Sequence, residues 1–140
     1  MIPSEYYIKE NVSEHEFNMY EHVYNLQIIN IPKPIYYNKS QKTMKTVRIP
    51  SINISDFYGE LSIHINNELF SRIRNVIKLL FENDIVYPDI TGYNFIEYNG
   101  KIWIIDFEHS YINKKGKGVY QDEFIKQFLD GYNGWNPEFK

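Results

Sequence analysis

Apolar and β-branched residues mark out strands and helices in alternation along the chain. Tyr6, Tyr7 and Ile8, leading into Lys9, predict a short strand. Ser13 followed three residues later by Glu16 is a capping-box signature, and Phe17, Tyr20 and Tyr24 then recur at helical spacing, which predicts a helix from Glu14 to Asn25. The segment Ile31 to Pro34 reads I-P-K-P and excludes helix, because each proline restricts the residue before it. Strands are expected at Ile35 to Tyr37 and Val47 to Ile54, with a Lys-rich turn between them. The plainest helix is Glu68 to Glu82, with Leu69, Ile73, Ile77 and Leu80 on one face and Asn66 or Asn67 as its cap. Two β-rich runs then flank Asn99-Gly100, a strong hairpin signal. A last helix is expected from Gln121 to Leu129, followed by a tail in which Trp135 and Phe139 pack onto the core.

Composition narrows the range of partners. The 140 residues are 43% hydrophobic and 24% charged, which suits one folding unit with a real core. A net charge of −3 gives no electrostatic reason to expect a nucleic-acid or membrane-surface partner. No cysteine is present, so thiolate metal sites and disulfides are excluded. The first residues lack the basic and apolar regions of a signal peptide, and no apolar run approaches the ~18 residues of a membrane span, so a cytoplasmic location is expected. The 13 tyrosines, in a chain without alanine, read as base composition rather than as a stacking platform. Lys114 to Gly118, K-K-G-K-G, is expected to be a solvated loop.

Candidate chemistry gathers around the hairpin. With a two-residue loop, Tyr98 faces Lys101, and counting back brings Asn94 and Asp106 beside each other at the open end. Strict alternation would put them on opposite faces, so either one of them leaves the ladder or a bulged loop shifts the parity. Asp89, five residues before Asn94 in a loop with Pro88 and Gly92, can fold back over the same end. Such a set of oxygen donors suits a hard ion such as Mg²⁺ better than Zn²⁺.

These residues resemble a known family. D-I-T-G-Y-N from Asp89 has the D-x-x-x-x-N spacing of the protein-kinase catalytic loop, and I-I-D-F-E, containing Asp106, looks like the metal-binding D-F-G segment. The order of long helix, loop, hairpin and D-F-x agrees as well. The resemblance implies Asp89 as the catalytic aspartate and Asn94 and Asp106 as Mg²⁺ ligands against the phosphates of ATP. Y-Y-I-K looks like the strand whose lysine, here Lys9, contacts those phosphates, and E-F-N-M-Y looks like the helix whose glutamate, here Glu16, pairs with it. The run I-N-I-S-D-F-Y-G-E is similar to the strand and hinge that pass the adenine. The resemblance is best over residues 84 to 108 and looser over most of the chain, with the flavour of Bud32, the lipopolysaccharide kinases and compact kinase-like proteins of large DNA viruses. It implies an α+β, minimal protein-kinase-like fold: a reduced N-lobe at residues 1–55 and a truncated, mainly helical C-lobe with a β-hairpin at residues 56–140.

The departures from that pattern are specific. The first glycine is Gly59, so the glycine-rich loop is lacking. Y-P-D replaces H-R-D at Tyr87 to Asp89, which excludes control by a phosphorylated activation loop through that arginine, and Glu108 replaces the D-F-G glycine. Glu16 has two readings, a cap of its own helix or the partner of Lys9. Asp122 has two as well, an anchor for the catalytic loop or a helix-start acid. His109 reads as a loop residue near the site and not a ligand. The function expected is ATP- and Mg²⁺-dependent phosphoryl transfer to a Ser/Thr hydroxyl, including in cis. The alternatives are a pseudokinase or decoy that engages a partner kinase, and a small-molecule kinase.

Overall fold

The computed structural model describes residues 5–113 and 123–139. The expected loop at Lys114 to Gly118, the first residue of the last predicted helix and Asp122 lie outside the described residues.

The first strand, β1 (Tyr6–Lys9), joins β2 (Pro34–Asn38) and β3 (Thr43–Val47) in an antiparallel sheet of order β1-β3-β2. Helix α1 (Glu14–Leu26) begins at Ser13, whose Oγ accepts the Glu16 amide at 3.1 Å. Its buried face is Glu16, Met19, Tyr20 and Val23. Phe17 and Tyr24, expected on that face, are only partly buried, and Phe17 stacks on Tyr37 with ring centroids 4.6 Å apart. The buried stripe is therefore rotated by one residue from the aromatic one, and a carboxylate opens it.

The strand expected at Val47 to Ile54 is not found. Pairing ends at Val47, and Ile54 opens helix α2 (Ile54–Tyr58), capped by Asn53, whose Oδ1 accepts the Asp56 amide at 2.8 Å. Pro50 removes a ladder donor, and the Asn53 cap then commits the chain to a helical turn. The real strand lies earlier, where Met44 and Thr46 point inward between exposed or half-buried neighbours. The run that resembled the hinge is thus a helix followed by a 3₁₀ turn at Ser62–His64.

Helix α3 (Asn67–Glu82) follows its predicted bounds closely, capped by Asn66, with Leu69, Phe70, Ile73, Ile77 and Leu80 buried. It forms the spine of the core. Strand β4 (Ile85–Val86) pairs with β7 (Tyr111–Ile112), and between them β5 (Phe95–Tyr98) and β6 (Lys101–Ile104) form the hairpin with Tyr98 opposite Lys101. Asn99 and Gly100 both have positive φ, at 54° and 69°, as the two-residue turn requires. Helix α4 (Glu123–Leu129) packs Phe128 against Phe70. Arg74 of α3 binds the Phe128 carbonyl at 2.6 Å and the Tyr132 carbonyl at 3.1 Å, which brings the tail back across the core. No described helix is long and apolar enough to cross a membrane.

Candidate active site

Asp89 and Asn94 stand in an apolar frame. Ile90 and Phe95 are fully buried, Thr91 nearly so, and the Gly92–Asn94 3₁₀ turn leads into β5. At Gly92 an added Cβ would fall 2.2 Å from Ser55 Oγ and 3.1 Å from Trp135, so glycine is what lets the turn close against α2 and the tail. The ladder continues one residue past the strands, with the Ile105 amide donating to the Asn94 carbonyl at 3.1 Å. Asn94 leaves the strand into the turn and Asp106 lies beyond the end of β6, which resolves the parity conflict without a bulge in the loop.

The backbone around Asp89 is held closely. Its carbonyl accepts the Asn94 Nδ2 at 2.8 Å and the Thr91 amide at 3.0 Å. On either side of it, Asn136 Nδ2 donates to the Pro88 carbonyl at 2.7 Å and the Asn136 amide donates to the Ile90 carbonyl at 2.8 Å. Asn136 is itself buried. Tyr87, where H-R-D has its histidine, donates its hydroxyl to the Asp106 carbonyl at 2.5 Å and so ties the loop to the D-F-E segment. Burial pushes the Asp89 carboxyl above the usual carboxylate value, hydrogen bonds from His109 and Asn94 pull it part of the way back, and the Asp106 charge adds to the rise.

Lys9 and Glu16 arrive from the other side. Lys9 Nζ donates to Glu16 Oε2 and lies 3.4 Å from Asp106 Oδ1, so one ammonium joins β1, α1 and the D-F-E segment. Of the two readings of Glu16, the side chain takes the pairing one, while the cap is made by Ser13 alone. Burial alone would lower the Lys9 pKa, but the charges of Asp106 and Glu16 outweigh it and hold the ammonium above its ordinary value. Glu16 is also raised. Burial is the largest cause, Lys9 offsets only part of it, and Asp106 and Glu108 add repulsion.

That repulsion has a geometric source. Ligand atoms of Glu16, Asp106 and Glu108 lie within 4.8 Å of one another, and Lys9 Nζ contacts the first two. Three carboxylates this close together favour a cation between them, and all the donors are oxygen, which fits a hard divalent ion. Asn94, with its Nδ2 committed to the Asp89 carbonyl, has Oδ1 to offer such an ion. Lys9, Asn94 and Asp106 line one cleft of about 480 Å³ together with Met44, Ile49 and Asn53; neither Glu16 nor Asp89 is on its wall.

Reading the residues alone missed two contacts at this site. His109 places Nδ1 3.0 Å from Asp89 Oδ2, and Asn136 anchors the loop in the way that was considered for Asp122. Neither has a local signature, since both act across distances of 20 and 48 residues in the chain. Glu16 did carry a readable signal: it falls at i, i+3, i+4, i+7 with Met19, Tyr20 and Val23, and a carboxylate on a buried stripe requires a partner.

The chain is similar to known proteins over most of its length. The family model of the RIO domain matches residues 3–117. The EKC/KEOPS complex subunit BUD32 of Enterocytozoon bieneusi is 29% identical over 132 residues, covering 76% of this chain and 64% of the relative, so the chain spans less than two thirds of that curated relative. Among solved structures, the Cydia pomonella granulovirus kinase PK-1 superposes with a TM-score of 0.58 at 14% identity, covering 76% of this chain and 43% of that one. At that identity the likeness speaks for the protein-kinase-like fold.

Proposed function

The chain belongs to the RIO-domain family of protein-kinase-like proteins, and on that footing we propose that it is an ATP- and Mg²⁺-dependent phosphotransferase whose acceptor is a Ser/Thr hydroxyl. The observation that carries the proposal is the meeting of Lys9 with both Glu16 and Asp106 at the cleft that Asn94 also lines. Three parts of the sequence converge there, and a structural ion pair needs only two of them.

In this reading Lys9 binds the nucleotide phosphates, and Glu16, buried and bonded to it, fixes where the ammonium points. Asp106 and Asn94 hold Mg²⁺, with Glu108 near enough to contribute. Bound there, the ion supplies neutralisation of charge across the phosphates. Asp89 would accept a hydrogen bond from the acceptor hydroxyl and take its proton as the new bond to the γ-phosphorus forms and the bond from that phosphorus to the bridging oxygen breaks, with ADP leaving; its raised pKa suits it to receive that proton. The relative from Enterocytozoon bieneusi is a subunit of a complex, which supports a protein partner for this chain as well.

The test is incubation of the purified chain with γ-labelled ATP and Mg²⁺, alone and with a generic protein substrate. Label transfer to the chain or the substrate is expected. No transfer together with no nucleotide binding would contradict the proposal, and partner-kinase binding without nucleotide binding would instead identify a decoy.

A further inference from the structure

We propose that His109 is a positioning residue for Asp89: its imidazole holds one carboxylate oxygen so that the other is presented to the acceptor hydroxyl. This rests on the reading of Asp89 as the acceptor-orienting group.

Contacts from both sides of the loop converge on it. His109 Nδ1 is 3.0 Å from Asp89 Oδ2, while the side chain of Asp89 is only 12% exposed, so a large part of the carboxylate's remaining freedom is spent on this contact. The imidazole itself is not left to wander. Its ring packs on Phe139 with centroids 4.8 Å apart. Phe139 belongs to the tail turn Pro137–Phe139, whose Phe139 amide donates to the Asn136 carbonyl at 3.2 Å. Asn136 in turn brackets Asp89 through the carbonyls of Pro88 and Ile90. Loop, carboxylate, imidazole and tail thus form a closed circuit in which the Asp89 backbone and side chain are fixed by the same terminal segment. On the far side of His109, Ser110 is also pinned, because its carbonyl bonds to His15 Nε2 of α1 at 2.8 Å.

The circuit specifies the proton on the imidazole. A carboxylate oxygen can only accept, so Nδ1 must carry hydrogen, which in a neutral ring selects the Nδ1–H tautomer. Asparagine places a donor near the Nδ1 position and alanine places none.

Two measurements on the full chain test the proposal. In the first, His109→Ala is expected to lower kcat about 10- to 100-fold with the KM for ATP unchanged, as for a group that only aligns the acceptor, and His109→Asn is expected to recover most of the loss. In the second, the ¹H–¹⁵N pattern of the imidazole is expected to report Nδ1–H in the parent chain and to lose that preference in Asp89→Ala. The spectrum is independent of turnover, so a chain that showed the tautomer without transferring phosphate would contradict the phosphotransferase reading and leave the contact standing. A kcat in His109→Ala within twofold of the parent, a loss confined to the KM for ATP, or a His109 tautomer indifferent to Asp89→Ala would each overturn the positioning role.

Discussion

The two sides of the cleft are built on different principles. On the loop side, Asn94 lines the cleft and its side chain bonds the backbone of Asp89, which is off the cleft wall, inside a frame of Ile90, Phe95, Phe107 and Trp135, all buried. On the sheet side, Tyr6, Tyr7 and Ile8 of β1 are exposed, and Lys9 is placed by its pairing with Glu16 and Asp106. One side is positioned by packing and the other by charge. A packed loop keeps its geometry whether or not ligand is present, whereas an ion-paired lysine is free to trade partners when phosphates arrive.

The largest effect should come from breaking the packed side. Trp135 lies 4.9 Å from Phe70 and 6.5 Å from Phe95 between ring centroids, and Trp135→Ala is expected to cost about 3–5 kcal/mol in denaturant unfolding. Its indole N–H has no partner among the described residues, so Trp135→Phe should cost less than about 1.5 kcal/mol. A loss as large in the phenylalanine variant would mean that a polar contact, and not ring packing, sustains this side.

On the charged side, Lys9→Ala leaves Glu16 buried beside Asp106 and Glu108, at an expected cost of about 1–3 kcal/mol near neutral pH. The sign with pH is definite. Glu16 already has a pKa raised by burial, and without Lys9 it rises further, so the folded state takes up a proton more readily than the unfolded one. The deficit should therefore shrink as pH falls through the raised Glu16 value, and thermal melts across that range read it directly. A pH-independent deficit would show that Lys9 acts through its alkyl chain.

Between these, Asn136→Ala removes one donor from the Pro88 carbonyl but keeps the backbone bond to Ile90, for an expected loss of about 1–2 kcal/mol. Smallest of all, Lys39→Ala breaks an exposed 3.2 Å pair with Glu14 and should change stability by less than about 0.5 kcal/mol. If Lys39→Ala matched Lys9→Ala, surface charge in general would be at work and not the buried cluster.

The same contrast explains what could be read from the chain. Helix α3 and the hairpin were legible because their information is local: a 3.6-residue stripe, an asparagine cap and an Asn-Gly turn. From the hairpin register the neighbourhood of Asn94 and Asp106 followed. Strand β3 and helix α2 were misplaced because the apolar residues after Val47 suit either state, and the decision rests on Pro50 and the Asn53 cap. The β4 and β7 strands are two residues each, too short for any period. His109 reads as a loop residue near the site, but its contact with Asp89 and the anchoring by Asn136 were not legible, for another reason. Their roles depend on the tail returning over the loop, a tertiary event that Arg74 and Trp135 bring about and no window of sequence contains.

The central claim is that the charged side of the cleft is a nucleotide-metal site, and ligand-dependent stability tests it most directly. With ATP and Mg²⁺ at a hundredfold excess over the dissociation constant, the parent chain should gain about 2.7 kcal/mol, seen as a rise in Tm, and omission of Mg²⁺ should remove most of it. Asp106→Asn keeps the size and hydrogen-bonding capacity of the side chain while removing the charge that a hard cation requires, so it should lose the Mg²⁺-dependent part. If the parent gains stability from Mg·ATP and Asp106→Asn gains as much, Asp106 does not hold the metal and the account of this site is contradicted.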